Sequence, residues 1–290
     1  MGVIQGFDPF KILKEALKNG GEFADIYVED TANTSIVCED NKIEKVISGR
    51  DLGAGIRVIT AYKTFYAYTN ELTEKALLEA AGIVAKGVRG SSPAADIGPV
   101  SRNTAKPLLL KTPPQAAPLS DKVELVTRAE KAAYAVDERI RQVRVVYGDG
   151  FRRIGVANSL GEWTEEERTG LVFFASAVSK DGDVVQTGYE PVGGSVGLEI
   201  FEESLPELVA EIAAKRAVMM LKARRAPGGR MAVVLSSEAG GTMIHEAVGH
   251  GLEADLAMQN LSVYSGKLGE KVASSIITVI DDGTVPYKRG

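Results

Sequence analysis

Helical spacing of apolar residues predicts the first element of the chain. Asp8 followed by Pro9 is typical of a helix start, because an aspartate caps free backbone N–H groups and a proline fits the first turn. Phe10, Leu13 and Leu17 then share one helical face. The pattern predicts a helix that ends before the glycine pair at residues 20–21.

Alternation of polar and apolar residues follows, as in half-buried strands. It predicts strands at residues 24–29, 35–39, 42–47, 55–60 and 64–68. Asp40 and Asn41 are typical of a tight hairpin turn. Residues 71–86 return to helical spacing and offer an apolar face to cover a sheet. Together these elements predict an α+β domain over residues 1–95.

A stretch rich in proline, alanine and serine, residues 96–118, predicts a connection between domains. A second α+β domain is predicted over residues 119–228, beginning with a helix over residues 119–141 and closing with one over residues 205–221. Between these helices the alternation predicts an antiparallel meander at residues 143–147, 152–157, 161–166, 171–179 and 184–189.

The remaining residues, 229–290, begin a third module. Residues 231–235 form a short apolar run typical of a buried strand, and residues 276–280 predict a last strand. Roughly 60 residues are too few for another complete core of this kind, so we expect the chain to end inside its third domain. The predicted fold class is therefore α+β and multi-module, with antiparallel or mixed sheets covered by helices.

Composition narrows the class of protein. A hydrophobic fraction of 44% and a charged fraction of 25% are typical of a globular protein. The chain lacks a run of about 18 apolar residues and the pattern of a secretory signal at its start, so we expect a cytoplasmic protein without membrane contact. The net charge of -5 argues against nucleic acid as the main ligand. The single cysteine, Cys38, is expected to be a small buried residue rather than a nucleophile.

Both histidines of the chain lie close together, and they are the strongest indication of chemistry. His245, Glu246 and His250 follow the pattern His-Glu-x-x-x-His, which is one residue longer than the His-Glu-x-x-His of zinc metallopeptidases. Five steps of a regular α-helix place two side chains roughly 140° apart. A straight helix would therefore hold one metal ion badly between these histidines.

A π-type turn would remove this difficulty. Its i to i+5 hydrogen bond brings the sixth residue back over the first, and Gly249 and Gly251 make the backbone easy to distort at this point. We therefore expect a widened or broken helix around residues 248–251. In that geometry the neutral imidazoles of His245 and His250 could bind zinc. Glu246 would then take a proton from metal-bound water and pass it to the leaving amine of a hydrolysed amide.

A catalytic zinc site usually has three protein ligands, and two histidines leave it one short. Glu253 is the best local candidate because it lies three residues after His250, although a hydrogen bond to one of the histidines is the favoured role. Asp255 is less well placed, and Cys38 would need the first module to fold back. A ligand outside these 290 residues is the remaining alternative.

Residues 245–255 resemble the motif of the TldD/PmbA family of metallopeptidases, specifically its TldD-like branch. Residues 53–58 and the order of modules give weaker support. The resemblance implies a cytoplasmic zinc peptidase that hydrolyses unfolded or modified peptides. It also implies a dimer, with itself or with a PmbA/TldE-like sister subunit. By position it implies His245 and His250 as zinc ligands and Glu246 as general base.

The resemblance also implies a third ligand, a cysteine supplied from far downstream in a longer protein. We therefore expect residues 229–290 to be the start of the metallopeptidase domain. The alternative is a non-catalytic peptide-binding or assembly subunit, because the chain lacks this third ligand.

Overall fold

The computed structural model describes residues 6–88, 93–105 and 108–288. These residues form two compact units. The larger unit comprises the described residues of Met1–Ala223 and Val285–Arg289, and the smaller unit those of Arg224–Thr284.

The first half of the larger unit contains two helices and three long strands. They are α1 (Pro9–Leu17), β1 (Phe23–Glu39), β2 (Lys42–Thr60), β3 (Lys63–Thr69) and α2 (Glu74–Gly87). The carboxylate of Asp8 accepts a hydrogen bond from the backbone N–H of Phe10 at 2.9 Å, with Pro9 in the first turn, which confirms the predicted start of α1. Asp40 and Asn41 both have positive φ, 52° and 62°, as the predicted hairpin turn requires.

The second half of this unit adds four strands and three helices. They are β4 (Ser101–Thr104), α3 (Leu119–Tyr134), β5 (Ile140–Asn158), β6 (Glu162–Asp181), β7 (Val184–Gly194), α4 (Ile200–Glu203) and α5 (Pro206–Met220). The short strand β4 lies within the predicted connection and has no counterpart in the sequence pattern. Helix α3 ends at Tyr134 rather than at residue 141, because the chain from Ile140 onwards joins the sheet.

All seven strands form one sheet in the order β3-β2-β1-β5-β6-β4, with β7 also paired to β6. Neighbouring strands are antiparallel except β4 and β6, which are parallel. The sheet is therefore mixed and carries helices, which confirms the predicted α+β class. Strands β1, β2, β5 and β6 each join two segments that the alternation pattern separated. Their polar and glycine-rich middles still pair, for example Asn33 with Gly49 on β2 and with Gly150 on β5.

Two buried clusters lie on this sheet. Helices α1 and α2 pack over one cluster, which includes Leu13, Ile26 and Ile56. Helices α3 and α5 pack over the other, which includes Ile36 and Phe173. Ile26 and Ile36 are ten residues apart on β1, an even number of steps with no bulge between them, so both clusters lie on the same face of that strand.

The smaller unit contains only short helical elements among its described residues. Helix α6 (Ser237–Ile244) continues into a π-helical segment (His245–Gly249), a 3-10 turn (His250–Leu252) and helix α7 (Ala254–Met258). The strands predicted at residues 231–235 and 276–280 are wrong, since the described residues of this unit form no strand. Val234 is 101% exposed and Ile276 87% exposed. An apolar run becomes a buried strand only where a neighbouring strand and a core cover it.

Among the residues that the structure describes, every helix is too short or too polar to span a lipid bilayer.

Candidate metal centre

A widened helical turn positions the two histidines. Helix α6 begins after Ser236, whose hydroxyl accepts the backbone N–H of Ala239 at 3.4 Å. At His245 the helix widens, and the N–H of His250 donates to the carbonyl of His245, five residues earlier. The predicted distortion is confirmed and begins slightly earlier than the sequence suggested. It turns both imidazoles to the same side.

The two imidazole rings meet edge to face. Their centroids are 4.4 Å apart and their planes make an angle of 66°. One potential ligand atom each from His245, Glu246 and His250 lies within 4.8 Å of the others, and all three side chains are exposed. Two nitrogen ligands of one tetrahedral zinc ion lie about 3.3 Å apart, given bonds of about 2.0–2.1 Å. The spacing therefore fits a single metal ion after a small adjustment of side chains.

Gly249 keeps the space beside the first imidazole open. A Cβ at this position would lie 3.2 Å from Nδ1 of His245, closer than most real side-chain contacts. The glycine therefore lets the π-helical segment form without displacing the histidine ring.

Glu253 contacts the Nδ1 atom of the His250 imidazole. The carboxylate Oε1 of Glu253 lies 2.6 Å from Nδ1 of His250, whereas Nε2 of His250 lies 3.6 Å from Oε2 of Glu246. The hydrogen bond to Glu253 raises the pKa of His250, and the negative charges of Glu253 and Glu246 act in the same direction. When Nδ1 donates its proton to Glu253, Nε2 carries the lone pair that a metal ion requires. Glu253 therefore orients a histidine nitrogen towards the cluster.

Asp255 and Cys38, the other candidate ligands, each contact groups outside the histidine cluster. The Asp255 carboxylate accepts the backbone N–H of Leu256 at 3.0 Å, at the start of α7. Cys38 is buried on β1, where its thiol donates to Glu130 at 2.9 Å. Burial and then the hydrogen bond to Glu130 raise the pKa of the Cys38 thiol to about 12. The thiol therefore stays protonated at neutral pH, and the thiolate that a metal ion binds is disfavoured.

Two residues that the sequence did not single out also contact this segment. Ser262 donates its hydroxyl to the carbonyl of Gly251, and the ring of Tyr264 lies against the same glycine. No spacing rule connects them with the histidines, since they reach Gly251 across a loop. Only the folded geometry identifies them.

Three models of one family match the chain. The PmbA/TldA metallopeptidase domain 1 matches residues 24–86, the central domain residues 112–221 and the C-terminal domain residues 228–290.

Relatives named as metalloproteases match most of the chain. A metalloprotease of Methanothermobacter thermautotrophicus is 36% identical over 266 residues, covering 91% of this chain and 58% of that protein. The metalloprotease TldD homolog of Haemophilus influenzae is 30% identical over 277 residues, covering 93% of this chain and 57% of that protein. The chain thus spans less than two thirds of the length of these relatives.

Solved structures share the fold at low sequence identity. TldE from Thermococcus kodakarensis has a TM-score of 0.69 and 19% identity, covering 96% of this chain and 62% of that one. A Bacteroides thetaiotaomicron protein described as a proposed modulator of DNA gyrase has a TM-score of 0.74 and 20% identity, covering 92% of this chain and 61% of that one. These structures show the fold, whereas the three matching family models and the metalloprotease relative at 36% identity show that the chain belongs to the PmbA/TldD family of metallopeptidases.

Proposed function

We propose that the chain is the metal-binding part of a zinc-dependent peptidase that hydrolyses amide bonds in unfolded or modified peptides. The observation that carries this proposal is the π-helical segment, which brings His245 and His250 to a centroid distance of 4.4 Å. Membership of a metallopeptidase family supports the same class of reaction.

The donor set suits zinc. Neutral imidazoles bind zinc well, and the two rings are exposed, so an ion could enter from solvent. His245 and His250 would hold the ion, with Glu253 orienting the ring of His250 through Nδ1. When bound, zinc supplies a Lewis acid that polarises the scissile carbonyl and acidifies water.

Glu246 would act as the general base. Its carboxylate follows His245 directly and belongs to the same cluster, so it would lie beside a water on the bound ion. An oxygen of this carboxylate would accept a proton from the attacking water and pass it to the leaving amine nitrogen. The peptide would be cleaved without a covalent intermediate on the protein.

The third protein ligand is proposed to come from outside residues 1–290. Glu253 is already engaged with His250, and Cys38 is buried with a raised pKa. The downstream cysteine that the family resemblance implies stays a prediction. A dimer, either with a second copy or with a TldE-like sister subunit, is also a prediction. The same holds for a cytoplasmic location and for a main ligand other than nucleic acid.

Replacing the proposed base tests this function. Glu246→Gln keeps the shape of the side chain but removes its ability to accept a proton at neutral pH. We expect the whole protein to retain zinc and to lose cleavage of an unstructured, fluorescently quenched peptide by at least about 100-fold.

Glu270→Gln is the matched control, because it makes the same change at an exposed residue outside the cluster. We expect this variant to cleave the peptide at the rate of the unmodified protein. Turnover by Glu246→Gln at that rate would show that the assigned base is wrong.

A second candidate function is a non-catalytic peptide-binding or assembly subunit. It is favoured by the size of the cluster, since among the described residues only two imidazoles and one carboxylate converge. It predicts little tightly held zinc but persistent association with an unstructured peptide or a sister subunit. Zinc content by mass spectrometry and peptide titration by calorimetry separate the two candidates, because the peptidase requires zinc in stoichiometric amount.

A further inference from the structure

The helix gives His250 little support of its own. Only one 3-10 turn follows this residue, and at Glu253 the backbone becomes extended, with φ -59° and ψ 129°. Towards His245 the chain forms a single π-helical turn, an element that is rare and seldom extends beyond one turn. Glu253 holds the ring of His250, whereas the backbone beside His250 is contacted from outside this helical segment.

Residues 262–264 supply contacts at this point. The hydroxyl of Ser262 donates to the carbonyl of Gly251, the residue after His250. The same hydroxyl oxygen accepts the backbone N–H of Tyr264 at 3.1 Å. The serine thus links the loop to the end of the histidine segment through two hydrogen bonds.

The ring of Tyr264 fills the space in front of Gly251. A Cβ on Gly251 would lie 2.6 Å from Cε2 and 2.8 Å from Cδ2 of the tyrosine, distances at which real Cβ atoms are essentially never found. With a side chain at position 251, either the tyrosine ring or the backbone would have to move. The tyrosine hydroxyl lies 3.5 Å from the carbonyl of Ala247, at the outer limit of a hydrogen bond, so the ring makes the main contact.

We propose that Tyr264 and Ser262 are positioning residues that hold Gly251, and with it His250, where its imidazole faces that of His245. The effect on zinc rests on the proposed function, whereas the effect on the π-helical hydrogen bond does not. The two can therefore be tested separately.

Hydrogen exchange of the His250 amide reports on this bond without any metal, since this N–H donates to the carbonyl of His245. In the whole protein, Tyr264→Ala should speed exchange of the His250 amide about 10-fold or more and weaken zinc affinity by about 10-fold to 100-fold. Tyr264→Phe keeps the ring and should leave both values within about twofold of the unmodified chain.

A double-substitution cycle tests the contact with Gly251. Gly251→Ala should produce effects like those of Tyr264→Ala, because its methyl group would collide with the ring. In the Tyr264→Ala background the same methyl group has room, so Gly251→Ala should add little. Gly241→Ala is the matched control, because a Cβ there meets nothing within 4 Å.

The proposal is overturned if Tyr264→Ala leaves exchange of the His250 amide unchanged, or if the effects of Gly251→Ala and Tyr264→Ala add in full. It is also overturned if Tyr264→Ala speeds exchange equally throughout the protein, since that shows a global loss of stability. If exchange changes as expected and zinc is not bound even by the unmodified whole protein, the positioning role stands and the proposed peptidase function fails.

Discussion

Asp30 and Arg50 form a two-pronged ion pair on neighbouring strands. Nε and Nη2 of the arginine lie 2.6 and 2.7 Å from the two carboxylate oxygens. The Asp30 side chain is nearly buried, and its hydrogen bonds with Arg50 lower its pKa below the ordinary aspartate value. A pair of this kind makes stability depend on pH.

The sign of that dependence follows from the lowered pKa. The pair stabilises the fold above the unfolded aspartate pKa of about 3.9, and the contribution is lost as pH falls through the lower folded value. Arg50→Met should therefore reduce the free energy of unfolding at pH 7. The difference from the unmodified chain should shrink below about pH 4, as measured by urea unfolding at several pH values.

Arg141→Met provides the comparison for this experiment, because Arg141 donates to the backbone carbonyl of Glu138 and not to a carboxylate there. Its effect should not vary with pH. A difference for Arg50→Met that stays constant from pH 7 into the acid range would contradict the account.

At the same scale, the sequence identified the centre of the candidate site. His245, Glu246 and His250 could be found because adjacent residue types and a fixed spacing carry the information. Ser262 and Tyr264 could not be found, because their contact with Gly251 depends on how a loop returns to the helix. The local sequence around the histidines contains no information about this contact.

Helices were predicted more accurately than strands because their signals are local. The cap at Asp8 and the apolar face behind it define α1 within a few residues. Strands β1 and β5 were each divided in two, because their polar or glycine-rich middles interrupt the alternation. Their pairing depends on partners more than 100 residues away, as between Asn33 and Gly150. The strand predicted at residues 231–235 failed for the same reason, since no described strand pairs with it.

Helix α3 is joined to strand β5 by a buried ion pair. Nζ of Lys122 lies 2.5 Å from Oδ2 of Asp149, and the two side chains are only 6% and 4% exposed. Nζ also lies 5.6 Å from the centre of the Tyr147 ring. Removing one member of such a pair leaves a charge buried without a partner, which costs more than removing both.

Lys122→Met should therefore lower the free energy of unfolding by about 3–5 kcal/mol, measured by urea unfolding at pH 7. The double variant Lys122→Met/Asp149→Leu should lose less than this single variant, because no unpaired charge remains. Lys131→Met, on the exposed side of the same helix, is the control and should change stability by less than about 0.5 kcal/mol. A loss for Lys122→Met as small as that of the control would contradict this account of the pair.

On the scale of the whole molecule, the chain separates a large sheet unit from a small unit that carries the histidines. The α+β class could be predicted, because every helix and strand signal in the first 220 residues indicates it. That one sheet runs through two predicted domains could not be predicted, since strand order is a non-local property. The two buried clusters on this sheet are covered by different helices, one by α1 and α2 and the other by α3 and α5.

The central claim is that two imidazoles converge on one divalent ion, and the chain contains only two histidines. X-ray absorption spectroscopy at the zinc edge counts imidazole ligands directly. The zinc-loaded protein should show two imidazole nitrogens at about 2.0–2.1 Å. His245→Ala and His250→Ala should each remove one of them. A zinc spectrum without imidazole ligands, or one that neither substitution changes, would contradict the claim.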